Sequence, residues 1–206
     1  MPQNTVVRFV KRPIGFVDES SFTVESMPVP QPADGQILLR NFYHSLDPYM
    51  RPRMTEMDSY TPPFEIGQVM DGGGMGVVVE SRHPDYKPGD VVMGMLQWAE
   101  YQAATPGGFM QKIAPGVAPW KDYLGVLGGA SLTAYVGMKL IGEPKPGETP
   151  YVSAASGAVG SIAAQMDAVI ARCTVSLVAN DESRLEPPPP EENDPASQDA
   201  PPSPAA

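Results

Sequence analysis

The chain has 206 residues, a formal net charge of −10 and 42% hydrophobic residues. That balance offers no basic face for nucleic acid, and no run of about 18 apolar residues exists to span a bilayer. Its single cysteine, Cys173, excludes an intrachain disulfide and a cysteine-built zinc site.

Short strand signals fill the first 125 residues. Val6–Val10 is apolar and β-branched, Ser21–Glu25 alternates, and Gly35–Phe42 follows a turn at Ala33-Asp34-Gly35. Gly76–Glu80 and Asp90–Gly94 read as two more strands around the turn Lys87-Pro-Gly-Asp90, and Trp98–Ala103 as another. Strands at this spacing predict a small barrel or sandwich. Gly72 to Gly76 lacks the Lys-Ser/Thr ending of a phosphate loop, so it reads as tight strand turns. From Gly125 the texture changes. The second half of 125–142 fits a helix closed by Gly142 and Pro144. Val159, Ile162, Ala163, Met166, Val169 and Ile170 lie three to four apart, as on one helix face. Thr174–Val178 then reads as a buried strand. Helix, strand, helix, strand predicts a parallel α/β sheet. Residues 186–206 hold five acidic residues, no basic ones and eight prolines, and predict a disordered tail with polyproline II character.

The most informative stretch is Lys145-Pro-Gly-Glu-Thr-Pro-Tyr-Val-Ser-Ala-Ala-Ser-Gly-Ala-Val-Gly160. It reads as turn, strand, glycine-rich bend and helix start. A pyrophosphate needs backbone N–H groups, little bulk and a helix N-terminus. Gly157 and Gly160 supply space, Ala158, Val159 and Gly160 supply N–H groups, and Ala163 is small enough for close helix–strand packing. The pattern is one glycine short of the full dinucleotide fingerprint. Beyond the second strand, Asp181 favours NAD through a ribose diol, whereas Arg184 favours NADP through a 2′-phosphate; the residues leave both open. His44 and His83 have no ligand at metal spacing, and no metal is expected.

Several blocks in order resemble the zinc-independent medium-chain dehydrogenases/reductases, and within them the NADPH-dependent alkenal/one reductases, which include the prostaglandin and curcumin reductase-like enzymes. They are Arg40-Asn-Phe-Tyr-His-Ser-Leu-Asp-Pro-Tyr-Met-Arg51, Gly67-Gln-Val-Met-Asp-Gly-Gly-Gly-Met-Gly-Val-Val78, Lys87-Pro-Gly-Asp-Val-Val92, Gly128-Gly-Ala-Ser-Leu-Thr-Ala-Tyr135 and the 145–165 stretch. The resemblance implies a GroES-like barrel domain over 1–125, a partial Rossmann domain over 126–185 and the tail from 186. It implies NADP(H) as cofactor and reduction of the carbon–carbon double bond of α,β-unsaturated aldehydes or ketones. Gly157, Ala158, Val159 and Gly160 would hold the pyrophosphate, with Arg184 near the 2′-phosphate. Tyr49 would stand near the substrate oxygen; as a packed ring its hydroxyl would instead meet backbone. Asp47 and Arg51 read as a structural pair or cap.

The chain also departs from the family. Pro150 stands at the entry to the first Rossmann strand, Ala171 replaces a glycine, Ser183 replaces a lysine and Pro52 replaces a glycine after Arg51. The later strands of the family's six-stranded sheet are missing, so the chain reads as C-terminally truncated. Three expectations follow: an impaired cytoplasmic reductase, a binding module pairing with a full-length relative or with itself, and an inert product.

Overall fold

β-Branched and aromatic residues draw Gln3–Phe9 (β1) and Phe22–Pro28 (β2) into an antiparallel ribbon with Val7 opposite Val24 and Phe9 opposite Phe22. The computed structural model describes residues 3–57, 61–148, 150–170 and 176–177. Contacts divide the chain into two compact units, Met1–Val117 and Ala118–Ala206.

The main sheet of the first unit is antiparallel throughout. It contains Ile37–His44 (β3), Asp71–Ser81 (β4), Val91–Gln97 (β5), Tyr101–Ala104 (β6) and Gln111–Ile113 (β7), in the order β6-β3-β4-β5-β7. A one-turn helix, Met50–Arg53 (α1), follows β3. Pro52 sits inside that first turn, where a missing N–H costs no helical bond. The sheet buries Ile37, Leu39, Val78, Val92 and Leu96. A second cluster, Phe9, Met50, Met54, Phe64 and Met70, gathers Tyr49 and Trp98 at its edge. The turn at Lys87–Asp90 is as expected: Gly89 adopts φ +91° and the Lys87 N–H donates to the Asp90 carboxylate at 3.0 Å.

Two expectations need correction here. Gly72 to Gly76 is not a set of turns; it runs inside β4, paired along its length with β5. Its glycines answer to crowding by distant neighbours. A Cβ at Gly72 would lie 2.2 Å from the Met50 methyl, and one at Gly76 would lie 2.8 Å from Asn41 Oδ1. The strand expected at Trp98–Ala103 starts only at Tyr101. Trp98 instead forms a corner, its carbonyl accepting from Val7 N–H at 2.8 Å.

In the second unit, Trp120–Leu124 (α2) precedes Gly129–Tyr135 (α3), which runs on as a π-helical segment, Val136–Gly142. The helical stretch stops at Gly142 as expected, with Glu143 left-handed at φ 43°. Tyr151–Val152 (β8) and Ser176–Leu177 (β9) pair in parallel, and Ala158–Ile170 (α4) connects them. This is a β–α–β unit, the layout read from the sequence. Pro150 lies just outside β8 and takes no ladder position. Among the described residues, the buried side chains of this unit are Ala134, Ala155 and Ala163. Leu132, Leu140, Ile141 and Tyr151 are exposed. Asp181, Ser183, Arg184, Ala171 and the 186–206 tail lie outside the described residues.

Candidate functional site

The bend after β8 is built from small residues. Ala154 is left-handed, at φ 49°, a conformation usually taken by glycine. Its carbonyl accepts from Gly157 N–H at 2.9 Å, which turns the chain into α4. Gly160 then lies against that same carbonyl: a Cβ there would sit 2.3 Å from Ala154 O and 2.9 Å from Ala155 Cα. Gly157 is less crowded, at 3.1 Å from Ala154 O. Thus Gly160 permits the helix to close on the turn. Ala154, Ser156, Gly157, Ala158 and Val159 are exposed, so no bulky side chain covers the start of the helix. First-turn N–H groups have no intrahelical acceptor, and the helix dipole adds positive potential there. The backbone geometry therefore fits an anionic diphosphate at Ala158, Val159 and Gly160. Val159 was expected on the packed face; its exposure leaves the first turn open.

Tyr49 lies in the first unit, immediately before α1. Its ring packs at the edge of the Phe9–Met70 cluster. The hydroxyl oxygen accepts from Gly73 N–H at 3.3 Å, and its proton faces Met95 Sδ at 3.7 Å. Both roles considered for Tyr49 thus have structural content: the ring is packed and its hydroxyl meets backbone, yet its proton faces only a weak acceptor. Burial raises the phenol above its usual value, opposed by the Gly73 N–H and assisted by the negative charge of Asp47. The group is a neutral donor at physiological pH. This gives a signed expectation. The unfolded phenol ionises first as pH rises through about 10, so Tyr49 subtracts stability progressively above that pH. Tyr49→Phe should flatten the alkaline fall of the urea midpoint between pH 9 and 11 and change it little at pH 7.

Asp47 and Arg51 do not pair. Arg51 donates to the Gly15 carbonyl at 2.7 Å, and Asp47 caps backbone through its own carbonyl, which accepts from Met50 N–H at 3.0 Å. The ion pair of this region is Arg53–Asp71, at 2.5 Å. Arg53 also donates to the Pro62 carbonyl at 2.9 Å and lies 3.8 Å from the centre of the Phe64 ring. It ties α1, and Tyr49 before it, to the start of β4. Sequence reading missed Arg53, Gly73 and Met95. Gly73 and Met95 are opposite one another in the β4–β5 register, which local patterning does not reveal. His83 Nδ1 accepts from Asp85 N–H at 3.1 Å, and His44 is exposed. Among the described residues no group of three or more His, Cys, Asp or Glu could hold a metal ion, and no helix is long and apolar enough to cross a membrane.

Tyr49 and the glycine bend belong to different units; Arg184 lies outside the described residues.

The chain is similar to several known proteins. Residues 6–113 match the family model described as the N-terminal domain of oxidoreductase. The chain is 46% identical over 157 residues to the NADPH-dependent curcumin reductase of Escherichia coli, covering 75% of this chain and 45% of that protein. It is 39% identical over 156 residues to the NADP(+)-dependent 2-alkenal reductase of Nicotiana tabacum, covering 73% and 45%. Among solved structures, CurA from Vibrio vulnificus in complex with NADPH superposes with a TM-score of 0.77 at 36% identity, covering 83% of this chain and 50% of that one. The chain spans about half the length of the curated relatives it matches.

Proposed function

This chain belongs to the oxidoreductase family that the matched N-terminal domain defines, and from that premise we propose an NADP(H)-dependent reductase of the carbon–carbon double bond of α,β-unsaturated aldehydes and ketones. In this reading residues 1–125 are a GroES-like domain, 126–185 part of a Rossmann domain, and 186–206 a disordered tail. The observation that carries it is the Gly157–Gly160 bend, where small exposed residues open the first turn of a thirteen-residue helix.

NADPH, when bound, supplies hydride to the β-carbon of the substrate. Ala158, Val159 and Gly160 N–H groups would hold its diphosphate, and Arg184 would meet the 2′-phosphate. Tyr49 accepts from Gly73, which leaves its own proton for the substrate carbonyl. A carbonyl oxygen that gains negative charge as the double bond is reduced is a far better acceptor than the Met95 sulfur, so the hydrogen bond strengthens along the reaction. Protonation at the α-carbon completes the reduction. No metal takes part, and the proposed setting is the cytoplasm.

NADPH should raise the thermal midpoint of the chain, by an amount equivalent to about 2.7 kcal/mol at a hundredfold excess over its dissociation constant, and NADH should raise it less. A midpoint that stays put at millimolar NADPH would remove the reading.

A second reading is favoured by one observation. The described part of the second unit buries only alanine side chains and exposes Leu132, Leu140, Ile141 and Tyr151. That is little apolar burial to offset ordering entropy. We propose that this face pairs with a full-length relative or with another copy, and that turnover by the chain alone is weak. Size-exclusion chromatography with and without the relative separates the cases; brisk alkenal-dependent NADPH oxidation by the monomer would overturn the impairment.

A further inference from the structure

Among the described residues three methionines are exposed: Met27, Met57 and Met95, the last at 44%. Met50, Met54, Met70 and Met75 are buried. A thioether within reach of solvent is open to oxidation, and a buried one is shielded. The Met27 sulfur accepts from the Arg8 guanidinium at 3.6 Å, a cation that draws electron density from it. The Met95 sulfur accepts from the neutral Tyr49 hydroxyl at 3.7 Å.

Three features would set an oxygen added at Met95 against that hydroxyl. Met95 is opposite Gly73 in the β4–β5 register, so no side chain stands directly across from it. Gly73 N–H donates to the Tyr49 oxygen at 3.3 Å, which leaves the phenol proton directed at Met95. The methionine side chain is unbranched and flexible, so its sulfur can turn a new substituent toward the phenol. A sulfoxide oxygen is a far stronger acceptor than a thioether sulfur. Oxidation would turn a weak contact into a firm hydrogen bond and occupy the Tyr49 donor.

We propose that Met95 is a site of reversible oxidation, at which a hydroperoxide converts the thioether to a sulfoxide whose oxygen captures the Tyr49 hydroxyl. The sulfur lone pair attacks the distal peroxide oxygen. The S–O bond forms as the O–O bond breaks. Sulfur loses two electrons; the leaving oxygen takes them, with the proton of the distal oxygen, and departs as water or an alcohol. Methionine sulfoxide reductases reverse the step, a dithiol supplying two electrons and two protons and the oxygen leaving as water. That the capture silences the reductase rests on Tyr49 holding the substrate carbonyl; the oxidation and the capture themselves do not.

The test treats the whole chain, carrying tyrosine labelled with 13C at Cζ, with hydrogen peroxide. Peptide masses should show one added oxygen at Met95 and none at Met50, Met54, Met70 or Met75. The Tyr49 Cζ signal, assigned by its loss in Tyr49→Phe, should move as Met95 is oxidised and return after treatment with methionine sulfoxide reductases A and B. It should stay in place when Met95→Leu is treated with peroxide, and should still move in Met27→Leu/Met57→Leu. The saturated ketone 2-hexanone, which has no carbon–carbon double bond to reduce, should bind the oxidised chain about three- to tenfold more weakly. Peroxide should leave the ketone affinity of Met95→Leu unchanged. A Tyr49→Phe chain that binds the ketone as well as the parent would remove Tyr49 from the proposed function, while a moved Tyr49 signal would still uphold the capture. Met95 left unmodified while Met57 is oxidised, or a Tyr49 signal unmoved by full oxidation of Met95, would overturn the proposal.

Discussion

Gly160→Val abolishes the NADPH-dependent rise in thermal midpoint, with binding weakened more than tenfold. The cause is local and steric. A Cβ at Gly160 would come within 2.3 Å of Ala154 O and 2.9 Å of both Ala154 C and Ala155 Cα. These are backbone atoms, so no rotamer change relieves the overlap. The first turn of α4 must tilt away from the bend, and the N–H groups of Ala158, Val159 and Gly160 lose their common aim. Gly160→Ala has the same first atom and should show most of the effect. Gly137→Ala is the matched control: it lies in a helical segment of the same unit, its Cβ would meet nothing within 4 Å, and alanine is the better helix former by about 1 kcal/mol. Equal NADPH affinity in Gly160→Val and the parent chain would show that the bend is not where the nucleotide sits.

Arg53→Met lowers the stability of the first unit by about 3 kcal/mol, read as a shift in the urea midpoint by tryptophan fluorescence. Removing one member of a buried ion pair strands the other, at a typical cost of about 3–5 kcal/mol. The lower end applies because the Asp71 side chain is 26% exposed, against 7% for Arg53, and because Gln68 still donates to Asp71 at 3.1 Å. Arg53→Met also removes the hydrogen bond to the Pro62 carbonyl and the contact over Phe64. The double variant Arg53→Met/Asp71→Leu should be more stable than Arg53→Met alone, since no charge is then left without its partner. Because α1 begins next to Tyr49, Arg53→Met should also loosen the Tyr49–Gly73 hydrogen bond. A loss under about 1 kcal/mol would place this pair with ordinary surface bridges.

Much of the fold was legible because its causes are local. Val6–Val10 is apolar and partly β-branched, Gly89 supplies the left-handed residue that the Lys87–Asp90 turn requires, and Gly142 with Pro144 marks a helix end. The parallel β8–β9 pair with α4 between them also followed from residue order. Other parts depend on neighbours far along the chain. The Gly72–Gly76 run looked like turns because nothing nearby in sequence explains glycine there; the explanation is crowding by Met50, Asn41 and Leu96. Of the two readings of Asp47 and Arg51, a structural pair or a cap, the pair is not formed; the ion pair is Arg53–Asp71, between residues 18 apart in the chain. β7 went unread because Gln111-Lys-Ile113 is short and carries no alternation; its partner β5 makes it a strand. At the candidate site, the small residues of the bend were visible, but the left-handed Ala154 was not. It is an alanine in a conformation that glycine usually takes, so its residue type gives no sign of the turn. Met95 was hidden for a further reason: it meets Tyr49 only through the cross-strand register that sets it opposite Gly73.

The most direct measurement is a titration of the 15N-labelled chain with NADPH, following individual backbone amides. The account predicts its largest shifts at Ala158, Val159 and Gly160, with Gly157 affected less, since its N–H already serves Ala154 O. Saturable NADPH binding that leaves those amides untouched and perturbs others instead would contradict it.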